Sequence, residues 1–554
     1  MPQMGDEFVR DASATMNVKD QTRHSIARGL AKAAMHLAAI GKVSALDLAL
    51  EAVSMHRDGL SLAAYCKVAL QINDFASLQK ALAEAEASVE EFPELRSIIT
   101  DLRSGPVGAI ELANKLRERR PVHFESVSGR VLYLLHHSLP HISNGYAIRS
   151  HGIAKALISK GCDIVCATRP GFPGSTLGHR LAAVTPHEVV EGVRYVRLDA
   201  PGGDDFIRHQ GDVTAYVPLQ YLKFAWRRIA SLINEVQPAC VVAGSNFATA
   251  LPACLAAREL GVPFVYEVRG FWELTRASWD PGYEQSRTGR QELFLETSVA
   301  RAADGVVTLN NPMREELIAR GVMPKKVTVA PNACDPENFR PLERDRDLMH
   351  DLGLDSDLPT IGYAGSFNAY EGLDDVVRAC CALKQQGLTF RLILIGAELP
   401  DHKGALPVTE NIRRLAAEGG LVDWLILPGR VPHEDVRRWY SLIDISPFAR
   451  KSQPVTELVS PLKPLEAMAM GKAVVVSSVG GMGGIVSHGE TGLVFPSGDV
   501  MALASEMRSL LENGPLRRSL GRAARQWVVD QRSWSQSADA MLEAVEPLMG
   551  GGRS

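Results

Sequence analysis

Residues 460–478 read SPLKPLEAMAMGKAVVVSS. Two prolines and Lys463 make a turn, Leu465 and Glu466 ride on the short helix after it, and Gly471 steps into the β-branched run Val474, Val475, Val476. A turn, a helix and a β-branched strand in that order form one unit of an α/β sheet. The order sets a lysine and a carboxylate together at the mouth of a crevice. A nucleoside diphosphate needs such a pair, a cation for its phosphates and an acceptor for its ribose hydroxyls.

Strands and helices alternate on both sides of this stretch. A second βα series opens at 360–363 and continues through 391–395, 424–427, 443–446 and 474–477. Before it, the apolar run 131–135 suits a buried parallel strand, and 162–168, 193–198, 240–243, 264–268 and 305–309 follow. Helical stretches at 148–160, 250–260 and 291–302 separate most of them. Such alternation predicts two doubly wound parallel sheets. PNACDPENFRPLERDRD, residues 331–347, reads as the linker between them, with Asp345-Arg346-Asp347 and Asp355-Ser356-Asp357 as solvated linker charge. The last apolar helix, about 535–549, is expected to cross back onto the first sheet.

Residues 22–116 lack strand alternation and carry alanine and leucine at helical spacing. LAAIGKVSALDLAL (37–50) and VALQINDFASLQKAL (68–82) both read as helix, short turn, helix, the pattern of TPR-like hairpins. The expected organisation is a disordered tail over 1–21, a helical extension over 22–125, one Rossmann-like domain over 126–340, a second over 341–530, and a returning helix over 531–554. The change of composition near Gly129 predicts that the extension is separable from the rest.

A chain of 554 residues exceeds what one core supports. Its 46% hydrophobic and 22% charged content is that of a soluble globular protein, and a net charge of −4 gives no reason to expect nucleic acid. Eight cysteines are scattered without paired CxxC motifs, which argues against zinc or a disulfide framework and favours a reducing cytoplasm. The mixed-charge N-terminus lacks a signal-peptide core, and no run reaches the roughly 18 apolar residues of a spanning helix. Peripheral contact at the inner face of a membrane is compatible with this composition.

The stretch 460–478 closely resembles the donor-sugar signature of retaining GT-B glycosyltransferases of the GT4, or group 1, family. HHSLPHISNGYAIRSHGIAKAL (136–157) resembles the HxSLPxxSGGYAxRTHGL segment of one bacterial subgroup. GYAGSFNAYEGLDDVVRA (362–379) resembles the GxxGxxxxxKG loop of the donor domain. The resemblance covers roughly three quarters of the chain, from about Gly129 onward. It implies the GT-B architecture, two Rossmann-like domains facing a cleft, here with an all-helical extension in front. It implies transfer of a hexose from a nucleotide diphosphate sugar to a glycan or lipid-linked acceptor, with retention.

Several residues take roles from this reading. Gly145 permits close approach of the helix that follows it, whose free N–H groups suit a diphosphate. Gly365 and Ser366 would lie against the diphosphate, with Lys463 as its main cation and Arg430, Arg450 and Lys451 as further candidates. Leu465 and Glu466 would bind the nucleotide, Glu466 through the ribose. The family's E-x7-E pattern has its first glutamate at Leu458 here, so Glu457, one residue away, is the candidate replacement. Ser366 and Glu371 stand where many members carry an arginine and a lysine. In FVYEVRGFWELTR (264–276), alternation puts Glu267 and Arg269 on one strand face, either as a site pair or as a structural ion pair. His137, at the first strand's end, could hydrogen-bond the sugar or acceptor, and His151 would pack on the first sheet. His136, His137, His141 and His151 match no zinc spacing, so no metal or other cofactor is expected. Two alternatives stand beside the transferase: a GT-B sugar-nucleotide epimerase, and a helical-repeat scaffold with a degenerate transferase behind it. A protein partner on the N-terminal helices is a further expectation.

Overall fold

The computed structural model describes residues 18–39, 42, 44–72, 74–104, 106–117, 123–177, 185–199, 219–354, 358–400 and 404–549. The 1–17 part of the expected tail and Asp355-Ser356-Asp357 lie outside them. The chain forms two units, each with its own interior.

The first unit is all-helical. It comprises α1 (Val18–Ala39), α2 (Ala45–Met55), α3 (Gly59–Gln71), α4 (Phe75–Ala87), α5 (Leu95–Ser104) and α6 (Pro106–Asn114). The first helix begins at Val18, so residues 18–21, expected in the tail, are helical. Both hairpin stretches end one helix and begin the next: 37–50 joins α1 to α2, and 68–82 joins α3 to α4. Asp58 and Asp74 cap α3 and α4, their side chains accepting from the Ser61 and Ser77 N–H groups. Alanine dominates the interior of α1 and α2, whose buried residues are Ala27, Ala31, Ala34, Ala38, Ala45, Ala49 and Ala52. The unit is not one stretch of chain. It takes in the start of the helix Leu219–Val236 and Glu284–Leu295, and Arg290 donates to the Ile72 carbonyl at 3.4 Å.

The second unit holds two sheets. The first has eight strands in the order β3-β4-β2-β1-β5-β6-β7-β8: β1 (Val127–Leu135), β2 (Asp163–Thr168), β3 (His187–Val190), β4 (Val193–Val196), β5 (Pro238–Gly244), β6 (Phe264–Glu267), β7 (Gly305–Thr308) and β8 (Val327–Val329). All neighbours are parallel except β3 and β4 at the edge. The second sheet is wholly parallel, in the order β11-β10-β9-β12-β13-β14: β9 (Thr360–Ala364), β10 (Arg391–Ile395), β11 (Leu425–Gly429), β12 (Ile445–Phe448), β13 (Ala473–Ser477) and β14 (Leu493–Phe495). The order reverses around β1 in one sheet and β9 in the other, and ligands of open α/β sheets bind at such points. Three short strands, β3, β8 and β14, escaped the sequence reading.

The helix Trp534–Val545 returns to the first sheet. Its Ala538, Met541 and Val545 share a core with Val131 and Tyr133 of β1. The Trp534 ring takes the space a Cβ on Gly152 would need, within 2.5 Å, so the helix after Gly145 requires glycine there. The linker is more structured than expected. Asp345 caps the helix Arg346–Asp351, accepting from Leu348 N–H, and pairs with Arg438 at 2.6 Å; its charge is a helix cap, not solvated linker.

Candidate active site

Pro464 at the first turn suits the start of the helix Lys463–Ala469. Positions three apart share a helix face, so Lys463 and Glu466 look the same way. Leu465 looks the other way and is 1% exposed in the core of the second sheet. The expected contact of its side chain with nucleotide is therefore corrected: helical geometry spends Leu465 on packing.

The Lys463 side chain lies across Gly365. A Cβ there would come within 2.2 Å of Lys463 Cε, and the backbone has φ +154°. The ammonium donates to Tyr363 Oη at 2.6 Å and to the Ser366 carbonyl at 3.4 Å, and pairs with Glu371 Oε1 at 3.3 Å. Burial lowers the Lys463 ammonium below its ordinary range, while Glu371 opposes the shift. Glu371 is itself buried, with Arg450 Nε 3.8 Å from its carboxylate. Burial alone would raise the Glu371 carboxyl, but Lys463 and Arg450 hold it below its ordinary value.

The sequence reading placed Glu371 in the loop only as a missing cation. In the fold it is the anion that orients two cations, and Tyr363, which no motif marks, is the second holder of Lys463. A tyrosine ending a strand just before a glycine loop was the available signal. Arg450, a further candidate cation, is 4% exposed, donates to the Val459 carbonyl at 2.8 Å and lies over the Tyr370 ring. Lys451 is tied to Asp374 at 2.7 Å.

Burial pushes the Glu466 carboxyl up to about 7, with Lys463 opposing. No hydrogen bond to its carboxylate is found among the described residues. Glu457 is differently placed. Its carboxylate accepts from the Gly480 N–H at 2.7 Å and the Ser452 hydroxyl at 2.5 Å, which fixes the loop after β13. Arg430 follows β11, two strands from β9, and is exposed. The fold does not draw it into the Lys463 group.

The helix Gly145–Ser159, α7, starts after β1 with Asn144 as its cap, whose side chain accepts from Ala147 N–H at 2.9 Å. At Gly145 a Cβ would meet only Leu462 Cδ1, at 3.4 Å. The start of α7 thus approaches the turn before Lys463. His137 lies 3.3 Å from Asn144 Nδ2, and burial lowers its ring to about 4, leaving it neutral at pH 7. His136, His141 and His151 go to different partners, Thr249, Glu188 and Tyr195. His151 packs beside the first sheet.

Arg269 does not offer a free donor. Its guanidinium donates to Glu267, the Tyr146 carbonyl, the Ser150 hydroxyl and the Tyr133 hydroxyl. Arg149 of α7 holds the other Glu267 oxygen at 2.8 Å and also donates to Asn332 Oδ1 at 3.2 Å. Burial would raise the Glu267 carboxyl, but Arg269 and Arg149 bring it down to about 2. Of the two roles open to the Glu267–Arg269 pair, the catalytic site role of Arg269 is set aside for the structural ion pair, because Glu267 and its neighbours consume its N–H groups. The network has an outlet: Asn332 Nδ2 donates to the Ser460 carbonyl at 2.8 Å, and Asn310 Nδ2 to the Leu458 carbonyl at 2.8 Å. The first sheet's loops thereby hold the chain that leads to Lys463.

Residues 345–527 match the family described as "Glycosyl transferases group 1", and residues 144–333 match the "Glycosyl transferase 4-like domain". A D-inositol 3-phosphate glycosyltransferase 1 of Catenulispora acidiphila is 27% identical over 315 residues, 56% of this chain and 73% of that one. An alpha-maltose-1-phosphate synthase of Mycolicibacterium smegmatis is 26% identical over 324 residues, 56% of this chain and 80% of that one. Among solved structures, sucrose-phosphate synthase from Thermosynechococcus elongatus aligns over 76% of this chain and 100% of its own, with TM-score 0.61 and 21% identity. Anabaena HepE in complex with UDP aligns over 76% of this chain and 100% of its own, with TM-score 0.57 and 15% identity.

Proposed function

We propose, for a chain that belongs to the group 1 glycosyltransferases and has their two-domain GT-B fold, that it moves a hexose from a nucleoside diphosphate sugar to a glycan or lipid-linked acceptor with retention at the anomeric carbon. The observation that carries the reading is the Lys463–Glu466 face. A cation held over Gly365 by Tyr363 and Glu371 stands one helical turn from a carboxylate without a hydrogen-bond partner among the described residues. Lys463 would take the diphosphate and Glu466 the ribose hydroxyls. Names of relatives support sugar transfer: inositol phosphate glycosyltransferase, maltose-1-phosphate synthase and sucrose-phosphate synthase. HepE was solved with UDP and glucose as well as with UDP.

The reaction is front-face. The bond between the anomeric carbon and the diphosphate oxygen breaks, the acceptor oxygen bonds on the same face, and the departing phosphate oxygen takes the acceptor's proton. Lys463 stabilises the charge that grows on that oxygen, and α7 presents N–H groups at the opposite wall. His137, neutral at pH 7, offers a hydrogen bond to the sugar or acceptor. Arg430, exposed after β11, is free to close on the phosphates as the donor enters. The proposed chemistry relies on fixed cations and helix N–H groups and needs no metal ion. The chain acts at the cytoplasmic side, in the making of cell-surface polysaccharide or glycoconjugate, and the helical unit docks a partner or the machinery that delivers acceptor. No helix among the described residues is long and apolar enough to cross a membrane.

The test is release of nucleoside diphosphate from a panel of donor sugars in EDTA, with and without extracts containing acceptor. Release that needs acceptor supports transfer. Release without acceptor, with an epimerised sugar, supports an epimerase, and no release from any donor supports a scaffold.

A further inference from the structure

His24 on α1, His56 at the end of α2 and Asp58 at the start of α3 each bring one ligand atom within 4.8 Å of the others. The two imidazole rings meet edge to face at 4.5 Å between centroids, and His24 Nδ1 is 3.4 Å from Asp58 Oδ2. His24 Nδ1 is buried and has no hydrogen-bond partner, although a carboxylate stands this near. Asp58 Oδ1 is committed to the Ser61 N–H at 2.7 Å, and this cap orients the other oxygen toward His24. Two imidazoles and one carboxylate oxygen are a common donor set for zinc, whose bonds of about 2.0–2.2 Å would draw these ligand atoms closer together.

We propose that His24, His56 and Asp58 bind one divalent transition ion of the zinc class, which pins α1 to the corner between α2 and α3. The packing gives the ion something to do. The side chains that α1 buries are Ala27, Ala31, Ala34 and Ala38, each of which removes little apolar surface from water. Leu30, Met35 and Leu37 of α1 pack partly buried beside this alanine seam, and small units with thin cores are commonly stapled by a metal. The donor set leaves a coordination position for water or for a residue of a docked partner. This ion belongs to the helical unit and takes no part in the transfer chemistry.

The experiment uses tag-free, full-length protein incubated with zinc, desalted and analysed for metal per chain. His24→Ala and Asp58→Asn are compared with wild type, because asparagine keeps the helix cap while weakening the ligand. Wild type should retain about one equivalent and each variant less than about a fifth of one, and EDTA should lower the thermal midpoint of wild type but of neither variant. Metal-free wild type, or equal zinc in wild type and both variants, overturns the proposal. Unlike the proposed transfer reading, this outcome is read without any activity assay, so the two can fail separately.

Discussion

At the residue scale, Lys463 and Glu466 do different work from one helix face on the proposed reading. Lys463 is desolvated and aimed by Tyr363 and Glu371, so on the proposed reading it acts where leaving-group charge develops. Lys463→Ala should lower kcat on the order of 10²-fold with little change in thermal midpoint. An unchanged kcat would remove it from the mechanism. Glu466 gives a pH signature. Its carboxyl, raised to about 7, is mostly protonated at pH 6 and mostly ionised at pH 8. Only the ionised form makes charge-assisted bonds to ribose hydroxyls. Nucleoside diphosphate affinity should therefore be roughly tenfold weaker at pH 6 than at pH 8, and Glu466→Gln should abolish most of that difference. Calorimetry at both pH values, on wild type and variant, checks the slope. The same shift makes Glu466 a cost to folding as pH rises from its unfolded value toward 7, because the folded state holds the proton longer. Lys463, Gly365 and Glu466 were legible in sequence because a motif fixes their spacing. Arg450 was legible as a candidate phosphate cation, but Tyr363 and the anchoring role of Glu371 were not, since their meaning depends on which loops the second sheet brings together.

At the element scale, strands buried on both faces were legible as continuous apolar runs, whereas β3, β8 and β14 were not. Those three have only three or four residues each, too few for periodicity to show. Helix caps such as Asn144 and Asp345 shaped the loops more than composition indicated. The Arg149–Glu267–Arg269 cluster links β6 to α7 and, through Asn332, to the loop at Ser460. Removing the anion would leave two buried guanidinium groups facing each other. Glu267→Gln should destabilise the protein by about 3–5 kcal/mol, seen as a lower denaturation midpoint. A midpoint equal to wild type would mean the two arginines find other anions or water. Because Asn332 is the cluster's link to the donor loop, the variant should also raise KM for the donor.

At the scale of the whole molecule, the doubly wound sheets and the returning helix followed from alternation and a final apolar segment. The helical extension was legible as helical but not in its chain composition, because the segments from the later chain that join it carry no distinctive pattern. The helical unit takes in the start of the helix Leu219–Val236 and Glu284–Leu295, and a Cβ on Gly108 would lie 2.3 Å from the Leu219 side chain. A chain starting at Ser126 would uncover Leu219, Tyr221 and Leu295, each under 4% exposed in the full chain. We therefore expect that truncation to be poorly soluble, against the separability that composition alone indicates. A soluble truncated protein that binds nucleotide would restore the simpler division.

The most direct test of the central claim is equilibrium calorimetry with UDP, GDP and ADP in EDTA, on wild type and Lys463→Ala. One of the three should bind wild type at one site per chain without added metal, and the variant should bind it at least about tenfold more weakly, as expected for loss of a desolvated charge-assisted contact. No binding of any of the three by wild type, or equal affinity in the variant, would contradict the assignment of Lys463 and Glu466 as a donor-nucleotide site.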